Sequence, residues 1–470
     1  MIDEARRVFE LQQQHRRAVA ASTAAERSAK LARLRAAVVA HREALCAALW
    51  ADFRKSAAEV EITEVSPTLV DLDHTRGRLA GWMRPAPAGR HWLLAGTRSE
   101  VHYRPRGVVL IMAPWNYPAG LILTPLVAAV AAGNCAILRP SEKVPRTAAV
   151  LAAIVGESFE EREVACFTEP GIELAQALLA LPFDHVFFTG STRVGRQVMA
   201  AAAGHLASVT LELGGKSPLL VDATADAAAA GERAAWGKFV NAGQTCIAPD
   251  YALVDERVLP AFVDGAARAV ARFYGATEDD RHASPDFPRL IDDAAFQRVA
   301  RLLEEAVGAG ARVAVGGRVD PAGRYVAPTI LTHVDPSSPV MREEIFGPVL
   351  PVIGFRTLDE AIDRINAGPT PLALYVFSRN EEHVARVLDR TASGGVTVND
   401  VLVHFGNPEL PFGGLGESGQ GSYHGWYGFR AFSHERAVLR RGRLALTRLL
   451  YPPYGRRVRA LLRVLRRVVS

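Results

Sequence analysis

One cysteine of the chain, Cys246, lies in a setting that suits a nucleophile. It belongs to residues 241–249, Asn-Ala-Gly-Gln-Thr-Cys-Ile-Ala-Pro, a loop that follows a helical segment and is punctuated by glycine and proline. Small neighbours leave its sulfur uncrowded and bring backbone N–H groups close to it. The alternative is a small buried hydrophobe, the usual fate of a free cysteine, so the reactive interpretation needs support from elsewhere.

Two other stretches supply that support. Residues 211–218, Leu-Glu-Leu-Gly-Gly-Lys-Ser-Pro, place the carboxylate of Glu212 ahead of a Gly-Gly turn, and residues 113–118, Ala-Pro-Trp-Asn-Tyr-Pro, place the amide of Asn116 in a rigid turn. A base, a nucleophile and a hydrogen-bond donor make a set for covalent catalysis. Glu212 could instead be a surface or salt-bridged glutamate, although a carboxylate in an apolar segment is costly to bury. Asn116 could instead be a turn former.

Short apolar runs that alternate with helical segments must position these groups. Residues 3–55 and 59–79 have helical spacing, and the alternation starts at Gly107. The predicted strands are 107–112, 135–138, 164–167, 185–188, 219–221, 251–254, 312–315, 348–355, 373–377 and 394–399. The helices predicted between them include 119–132, 196–203, 227–240, 258–274 and 293–308. Such alternation predicts parallel sheets with ligands at the carboxyl ends of the strands.

A candidate phosphate-binding turn follows the predicted strand 185–188. It contains Gly190, Ser191 and Gly195 and opens a helix whose N-terminal N–H groups could meet a pyrophosphate. The signal is weak by itself, because many strand–helix turns contain glycine and serine.

Length and composition bound the class of protein. A chain of 470 residues is too long for one hydrophobic core, so two or three domains are expected. The four cysteines, at 46, 135, 166 and 246, show no paired spacing, and no cluster of cysteine and histidine indicates a metal. We therefore expect a reducing compartment, the cytoplasm, with neither a secretory signal nor a membrane-spanning helix.

The basic residues are concentrated at the C-terminus. The net charge is +5, but residues 436–470 hold eleven arginines and no acid, so the other 435 residues carry 44 basic and 50 acidic side chains, a balance of −6. This distribution is not typical of a nucleic-acid-binding face. From residue 456 on, the apolar positions Val458, Leu461, Leu462, Leu465 and Val468 share one helical face. The tail could contact a membrane surface, dock on the protein or fray.

The motifs together resemble the aldehyde dehydrogenase family, and most closely its class 3 branch. Besides the three stretches above, the family's order continues with Glu-Glu-Ile-Phe-Gly-Pro at 343–348 and Leu-Pro-Phe-Gly-Gly-Leu-Gly-Glu-Ser-Gly at 410–419. The resemblance extends from about Ala32 to about Tyr454. It implies an α/β fold of two Rossmann-type parallel domains with a small bridging hairpin that serves oligomerisation.

The resemblance also implies a division of the chain. We expect a dinucleotide-binding domain at 1–212, of which 85–104 contribute to the bridging hairpin, and a catalytic domain at 213–395. A return segment with the bridging strand covers 396–435, and the basic tail covers 436–470.

The family's reaction implies roles for individual residues. An aldehyde is oxidised to the acid with NAD+ or NADP+, through a thiohemiacetal and a thioester on Cys246. Asn116 and the Cys246 N–H would hold the oxyanion, and Glu212 would activate the hydrolytic water. The resemblance assigns nine residues to the cofactor: Trp115, Arg139, Ser141, Glu142, Gly190, Ser191, Gly195, Glu344 and Phe346.

One of these residues departs from the family pattern. Arg139 replaces the lysine of a Lys-Pro-Ser-Glu motif, while Glu142 is retained. Arginine and lysine differ in how they recognise phosphate, so the departure opens the choice between NAD+ and NADP+. We predict that Glu142 accepts a hydrogen bond from the adenosine ribose and that Arg139 favours a 2′-phosphate.

Six residues are candidates for the walls of a substrate channel: Tyr117, Trp236, Thr245, Ile247, His404 and Phe405. Aromatic and apolar walls suit a medium- or long-chain aliphatic aldehyde or an aromatic one, although each residue is also compatible with a core position. The class 3 branch further implies a homodimer.

Three rival functions are considered. An acylating dehydrogenase would pass the thioester to coenzyme A, but the presence of Glu212 favours water as the acceptor. A cofactor-free thiol hydrolase would not need the turn at 190–195 or the Glu344/Phe346 pair. A non-enzymatic descendant would be expected to lose Cys246.

Overall fold

The computed structural model describes residues 2–89, 94–443, 451–456, 458–460, 462 and 463. Its helices in chain order are α1 Ile2–Ala20, α2 Ala24–Ala40, α3 Arg42–Phe53, α4 Ala57–Val60, α5 Ser66–Trp82, α6 Gly120–Ala132, α7 Pro145–Ser158, α8 Ile172–Leu179, α9 Thr192–Ala203, α10 Ala227–Phe239, α11 Leu259–Tyr274, α12 Glu278–Ala283, α13 Asp293–Gly308, α14 Pro339–Arg342, α15 Leu358–Asn366, α16 Glu381–Arg390 and α17 Gly425–Ala431. A π-helical turn, Glu61–Val65, joins α4 to α5, and 3₁₀ turns cover Val240–Gly243 and Val403–Gly406.

The strands of the described residues are β1 Ala86–Pro87, β2 Thr97–Pro105, β3 Val108–Met112, β4 Cys135–Arg139, β5 Val164–Cys166, β6 His185–Gly190, β7 Ser208–Leu213, β8 Pro218–Val221, β9 Tyr251–Asp255, β10 Arg312–Val315, β11 Val319–Asp320, β12 Tyr325–Val326, β13 Thr329–Thr332, β14 Val349–Phe355, β15 Ala373–Phe377, β16 Gly395–Val398, β17 Gly419–Gln420 and β18 Ser433–Arg441.

The first large sheet has six strands in the order β17-β7-β6-β3-β4-β5. Five are parallel, and only β17 runs antiparallel, against β7. Strands β3 and β4 are buried along their whole length, which is typical of parallel strands covered on both faces. The register pairs Thr189 with Glu212, so the candidate base stands at the carboxyl end of β7, beside the turn at 190–195.

The second large sheet has seven strands in the order β10-β13-β14-β9-β8-β15-β16. All its pairs are parallel except β10 with β13. The loop that carries Cys246 connects α10 to β9 and therefore lies at the edge of this sheet where β9 begins.

A third sheet, β1-β2-β18, contains the expected bridging hairpin. Strands β2 and β18 pair over nine positions, from Ser433 opposite Pro105 to Arg441 opposite Thr97. The first six residues of the segment expected to be the basic tail, 436–441, thus belong to strand β18. The reason is continuous pairing with β2, to which Arg440 adds a hydrogen bond from Nε to Glu100 Oε2 at 3.4 Å.

The C-terminal tail is described only in part. Residues 456, 458–460, 462 and 463 are helical, Val458 is half-buried and Leu462 is exposed. The predicted apolar positions Leu461, Leu465 and Val468 lie outside the described residues. Among the helices that the structure describes, none has the length and apolar character needed to cross a bilayer.

Candidate active site

The Cys246 loop has an unusual backbone. Asn241, Ala242 and Gly243 are three consecutive residues in the left-handed region, with φ of 54°, 52° and 74°. Non-glycine residues adopt this region only where their surroundings impose it. The Asn241 side chain does so in part, because its Nδ2 donates to the carbonyl oxygens of Asn116 at 2.9 Å and of Gln244 at 3.1 Å.

Gln244 anchors the other end of this turn. Its Nε2 donates to the carbonyl oxygens of Asn241 at 3.0 Å and Arg289 at 3.1 Å, and its Oε1 accepts the Ile291 N–H at 3.0 Å. The side chain is fully buried. The backbone immediately before Cys246 is therefore fixed from both sides.

Cys246 carries a thiol that is protonated at neutral pH. Burial raises its pKa to about 12, helped by the negative charges of Glu344 and Glu212. The backbone N–H groups of Cys246 and Ile247 act in the opposite direction, since they hydrogen-bond to the sulfur. The same N–H groups are available to an oxyanion that forms beside the sulfur.

Glu212 is a buried carboxyl group without a partner. Its side chain is 2% exposed, and neither oxygen has a hydrogen-bond partner within the described structure. Burial alone raises its pKa well above the usual glutamate value. A buried, unpaired carboxyl group is costly to keep, and its high proton affinity suits a general base.

Asn116 stands opposite the loop on the turn after β3. Its Nδ2 donates to the Gln244 carbonyl oxygen at 3.0 Å, while its Oδ1 is buried without a partner. The side chain is 2% exposed. An amide nitrogen carries two hydrogens, so one bond to Gln244 leaves the second available for an oxyanion.

An apolar cavity of about 180 Å³ is lined in part by Cys246. Its lining also includes five of the six channel candidates, Tyr117, Trp236, Thr245, Ile247 and Phe405. Its polar side chains are already satisfied: the Tyr117 hydroxyl lies 2.5 Å from Thr245 Oγ1, and Thr63 Oγ1 donates to the Glu59 carbonyl oxygen at 2.6 Å. The walls therefore favour hydrocarbon.

The sixth candidate, His404, is not among the residues that line this cavity in the described structure. Its ring stacks on Phe412 at 5.9 Å between centroids, and its Nδ1 lies 2.9 Å from Thr397 Oγ1. Burial lowers its pKa to about 4. Phe412, which was not among the predicted channel residues, lines the cavity.

Further lining residues come from segments that carry no sequence motif, so no pattern predicts them. These are Ile62, Thr63, Pro67, Gly120, Leu121, Val240, Leu402, Val403 and Gly406. Three side chains at the cavity are strongly exposed for apolar groups: Ile62 at 67%, Val403 at 49% and Trp236 at 36%. A cluster of exposed apolar side chains indicates a binding surface. The cluster becomes visible only in the folded chain, because its residues are far apart in the sequence.

The candidate phosphate-binding turn joins β6 to α9. Ser191 is the N-cap of α9 and accepts the Val194 N–H at 3.4 Å, and a Cβ on Gly195 would lie 2.6 Å from Leu213, so the helix packs closely on β7. Thr189 Oγ1 is buried beside the turn without a partner. A helix N-terminus with an unsatisfied polar atom next to it fits a pyrophosphate.

Glu344, Phe346 and Trp115 lie together at the other side of the cleft. Trp115 and Phe346 meet edge-on with centroids 5.5 Å apart, and Glu344 Oε1 accepts the Gly215 N–H at 3.1 Å. Burial and the charge of Asp250 raise the pKa of Glu344 to about 7. An aromatic pair beside a buried carboxylate fits a nicotinamide ring and its ribose.

Arg139 differs from its predicted orientation. It is 5% exposed, and its guanidinium donates to the carbonyl oxygens of Pro140 and Phe167 at 3.3 Å and of Gly171 at 3.4 Å. It also donates to Glu142 Oε2 at 3.3 Å. The guanidinium of Arg139, which was expected to favour a phosphate, therefore donates its hydrogen bonds to oxygens of the protein.

Glu142 and Ser141 shape the turn above Arg139. Glu142 Oε2 accepts the Gly171 N–H at 2.8 Å, and the side chain is 44% exposed. Ser141 Oγ accepts the Lys143 N–H at 3.3 Å. The exposed carboxylate is thus held in place by Arg139 and Gly171.

Comparison with known proteins identifies the family of the chain. The model of the aldehyde dehydrogenase family matches residues 2–438. Aldehyde dehydrogenase family 3 member A2 of Mus musculus is 45% identical over 426 residues, 90% of this chain and 86% of that protein. The dimeric NADP-preferring aldehyde dehydrogenase of Rattus norvegicus is 45% identical over 397 residues, 84% of this chain and 86% of that protein. The substrate-bound structure of Staphylococcus aureus AldH superposes with a TM-score of 0.93 at 38% identity, covering 98% and 99% of the two chains.

The chain belongs to the aldehyde dehydrogenase family. It is an NAD(P)+-dependent oxidoreductase that converts aldehydes to carboxylic acids, the reaction of the family. The predicted fold, two parallel α/β units with a bridging sheet, is confirmed.

Proposed function

We propose that Cys246, Asn116 and Glu212 carry out the reaction. The Cys246 thiol gives up its proton to water, and the thiolate attacks the aldehyde carbon as the C=O double bond becomes a C–O⁻ single bond. The oxyanion of this thiohemiacetal receives hydrogen bonds from Asn116 Nδ2 and the Cys246 N–H. A bound nicotinamide cofactor would supply the hydride acceptor for this step, so that the thiohemiacetal on Cys246 would become a thioester. Glu212 takes a proton from water, whose oxygen attacks the thioester carbon; the C–S bond then breaks, the acid is released and the sulfur of Cys246 leaves as thiolate.

The observation that carries this proposal is the unpaired carboxyl group of Glu212, whose charge acts on the thiol of Cys246 at the end of the cavity. Glu212→Gln keeps the shape and removes the base. We expect one turnover of reduced cofactor per site, followed by an acyl adduct on Cys246 in the mass spectrum. Absence of both the burst and the adduct would assign Glu212 to thiol activation or to structure instead.

The cofactor assignments follow from the cleft described above. Gly190, Ser191 and Gly195 would hold the pyrophosphate at the N-terminus of α9, and Glu142 the adenosine ribose. Glu344 would bind the nicotinamide ribose, with Phe346 and Trp115 against the ring. Ser141 and Arg139 would act through the shape of the turn that presents Glu142.

The substrate class we propose is a medium- or long-chain aliphatic aldehyde, or an aromatic one. The support is a cavity whose polar side chains bond to one another or to backbone, and whose exposed rim includes Ile62, Val403 and Trp236. Removing such apolar area from water contributes roughly 25 cal/mol per Å². Relative kcat/KM for a series of aldehydes from three to twelve carbons tests it.

We propose that the protein is a homodimer, since the rat relative is named a dimeric aldehyde dehydrogenase. Two strands support this, because β16 ends the seven-stranded sheet and β18 ends the three-stranded sheet. Strand edges of this kind are natural sites of pairing between chains. Light scattering after size-exclusion chromatography measures the mass directly, and a monomer across the micromolar range would reject the proposal.

The tail supports a proposal of peripheral contact with anionic membranes, since residues 436–470 carry eleven arginines and no acid. Deletion of residues 456–470 should leave kinetics with short aldehydes unchanged and reduce sedimentation with anionic liposomes. The binding should weaken with salt. Full-length protein that ignores such liposomes at low salt would contradict it.

We further propose the division at residue 212 between cofactor-binding and catalytic units. In support, β3 to β7 all lie between residues 108 and 213, whereas β8 to β16 begin at residue 218. The return segment adds β17 to the first sheet.

A further inference from the structure

Residues 343–347, which we call the cofactor loop, are held by charged side chains from outside it. Lys216 Nζ donates to the Glu343 carbonyl oxygen at 3.0 Å. Both oxygens of Asp250 accept the N–H of Ile345 at 3.2 Å. A half-buried positive charge, Lys216, and a buried negative charge, Asp250, thus fix an acceptor and a donor of the same short backbone segment.

A third charged side chain, Arg298 on α13, hydrogen-bonds to the cofactor loop. The Arg298 guanidinium donates to the carbonyl oxygens of Glu344 at 2.9 Å and Ile345 at 2.7 Å. The next residue, Phe346, has a φ of 42°, a strained value for a bulky side chain. Strain of this size persists only where the surroundings determine the backbone, and these charged contacts supply that determination.

Asp250 also connects the cofactor loop to the helix that leads into the nucleophile. Its Oδ1 lies 3.2 Å from Nζ of Lys238, which is fully buried on α10, and its Oδ2 lies 2.6 Å from Nζ of Lys216. Burial acts to raise the pKa of Asp250, but the two lysines outweigh it and the pKa is lowered. The carboxylate is therefore ionised at neutral pH, as a buried ion pair requires.

The two loops also touch directly. A Cβ added to Gly243 would lie 2.2 Å from the carbonyl oxygen of Gly347. The backbone before Cys246 and the backbone after Phe346 therefore share one packing surface. A shift of the cofactor loop would therefore displace the backbone that precedes Cys246.

We propose that Asp250 is a positioning residue: through Ile345 it holds Glu344 and Phe346 at the nicotinamide, and through Lys238 it keeps the cofactor loop in register with the Cys246 loop. The inference rests on the proposed roles of Glu344 and Phe346. In this role Asp250 acts through Ile345 and Lys238, and it fixes the position of the nicotinamide-binding residues relative to Cys246.

The test is Asp250→Asn, which keeps the size and removes the charge. An amide cannot pair with two lysines and still accept the Ile345 N–H equally, so the loop should shift. Misplacement by about 1 Å can cost on the order of 100-fold in rate. We expect a tenfold or greater rise in the Kd for NAD+, measured by calorimetry on the folded enzyme, and a smaller burst of reduced cofactor.

The matched control is Asp255→Asn, at the other end of β9. Asp255 is equally buried, and its carboxylate pairs with Arg257 at 2.6 Å, away from the cofactor loop. Both variants lose a buried charge, so both can lower the melting temperature. Only Asp250→Asn should change the Kd for NAD+ and the burst; an unchanged Kd and burst in that variant would overturn the inference.

Two further variants keep the result interpretable. If Asp250→Asn does not fold, Lys238→Gln removes the contact by which Asp250 is proposed to reach α10, and wild-type NAD+ binding together with a wild-type burst in that variant would overturn the proposed register between the two loops. Glu344→Gln tests the underlying assignment: normal NAD+ binding there would reject the cofactor role of Glu344. Impaired Glu344→Gln beside normal Asp250→Asn would reject the positioning role alone.

Discussion

The Nδ2 atom of Asn116 lies 3.0 Å from the carbonyl oxygen of Gln244, and a second bond runs the opposite way, from Asn241 Nδ2 to the Asn116 carbonyl oxygen at 2.9 Å. The turn after β3 and the turn before Cys246 are thereby joined from the two large sheets. The proposed oxyanion donor is oriented by the loop that carries the nucleophile.

Asn116→Ala removes this donor. We expect kcat to fall about 100- to 1000-fold, because one oxyanion donor is typically worth that much. The backbone carbonyl that receives Asn241 remains, so the fold should persist, which circular dichroism checks. A kcat within tenfold of the wild-type value would show that the Cys246 N–H is sufficient.

Alkylation of Cys246 reports its protonation state. Since its pKa is raised to about 12, the thiolate fraction of the cofactor-free enzyme should grow with pH. The rate of modification by iodoacetamide, followed by mass spectrometry of the Cys246 peptide, should therefore rise steadily between pH 7 and pH 10. A plateau near pH 7 would contradict the assigned protonation.

The charge of Glu344 offers a companion test of the same environment. Its carboxylate is one cause of the raised pKa of Cys246. Glu344→Gln should therefore speed alkylation at pH 9, where the wild-type carboxylate is ionised. A slower reaction would mean that the substitution acts through the loop geometry rather than through charge.

Cofactor preference should depend on Glu142 rather than on Arg139. Glu142→Ala removes an exposed negative charge that would repel a 2′-phosphate, so the ratio of kcat/KM for NADP+ over NAD+ should rise about tenfold. Arg139→Lys should change that ratio less than threefold, because the guanidinium is buried on protein carbonyl oxygens. A large fall in NADP+ use by Arg139→Lys would restore a direct contact with phosphate.

The rim of the cavity should discriminate chain length. Val403→Asp places a charge where an alkyl chain would lie, so kcat/KM for decanal should fall about tenfold, equivalent to about 1.4 kcal/mol, while propanal changes little. The control is Val313→Asp on β10, with similar exposure, 41% against 49%, outside the cavity lining. Equal losses for both aldehydes would remove Val403 from the substrate path.

Much of this arrangement could be predicted from sequence, because the signals are local. Parallel strands buried on both faces are short apolar runs, so β3, β4, β6 and β15 were expected within one or two residues of their bounds. Strand β7 was not assigned as a strand, although Glu212 was singled out within it. A single carboxylate in an apolar segment indicates a candidate catalytic residue, but it does not indicate whether the segment is a strand or a helix.

Other features depend on contacts between distant segments. Ile62 reaches the cavity from a π-helical turn near the N-terminus, and no pattern around it indicates a lining residue. Arg139 looks like a phosphate ligand until the carbonyl oxygens of Phe167 and Gly171 are seen beneath it. His404 has a side chain that could serve in a site, but its ring stacks on Phe412, which lies eight positions further along the chain.

The three left-handed residues before Cys246 bear on the order of folding. Asn241 and Ala242 would not choose this backbone as an isolated segment, and the bond from Asn241 to Asn116 forms only once the two large sheets have docked. The nucleophile is therefore assembled by tertiary docking and not by the folding of either half. During refolding from denaturant, helical circular dichroism should return first, and enzymatic turnover should trail it by the time that docking takes.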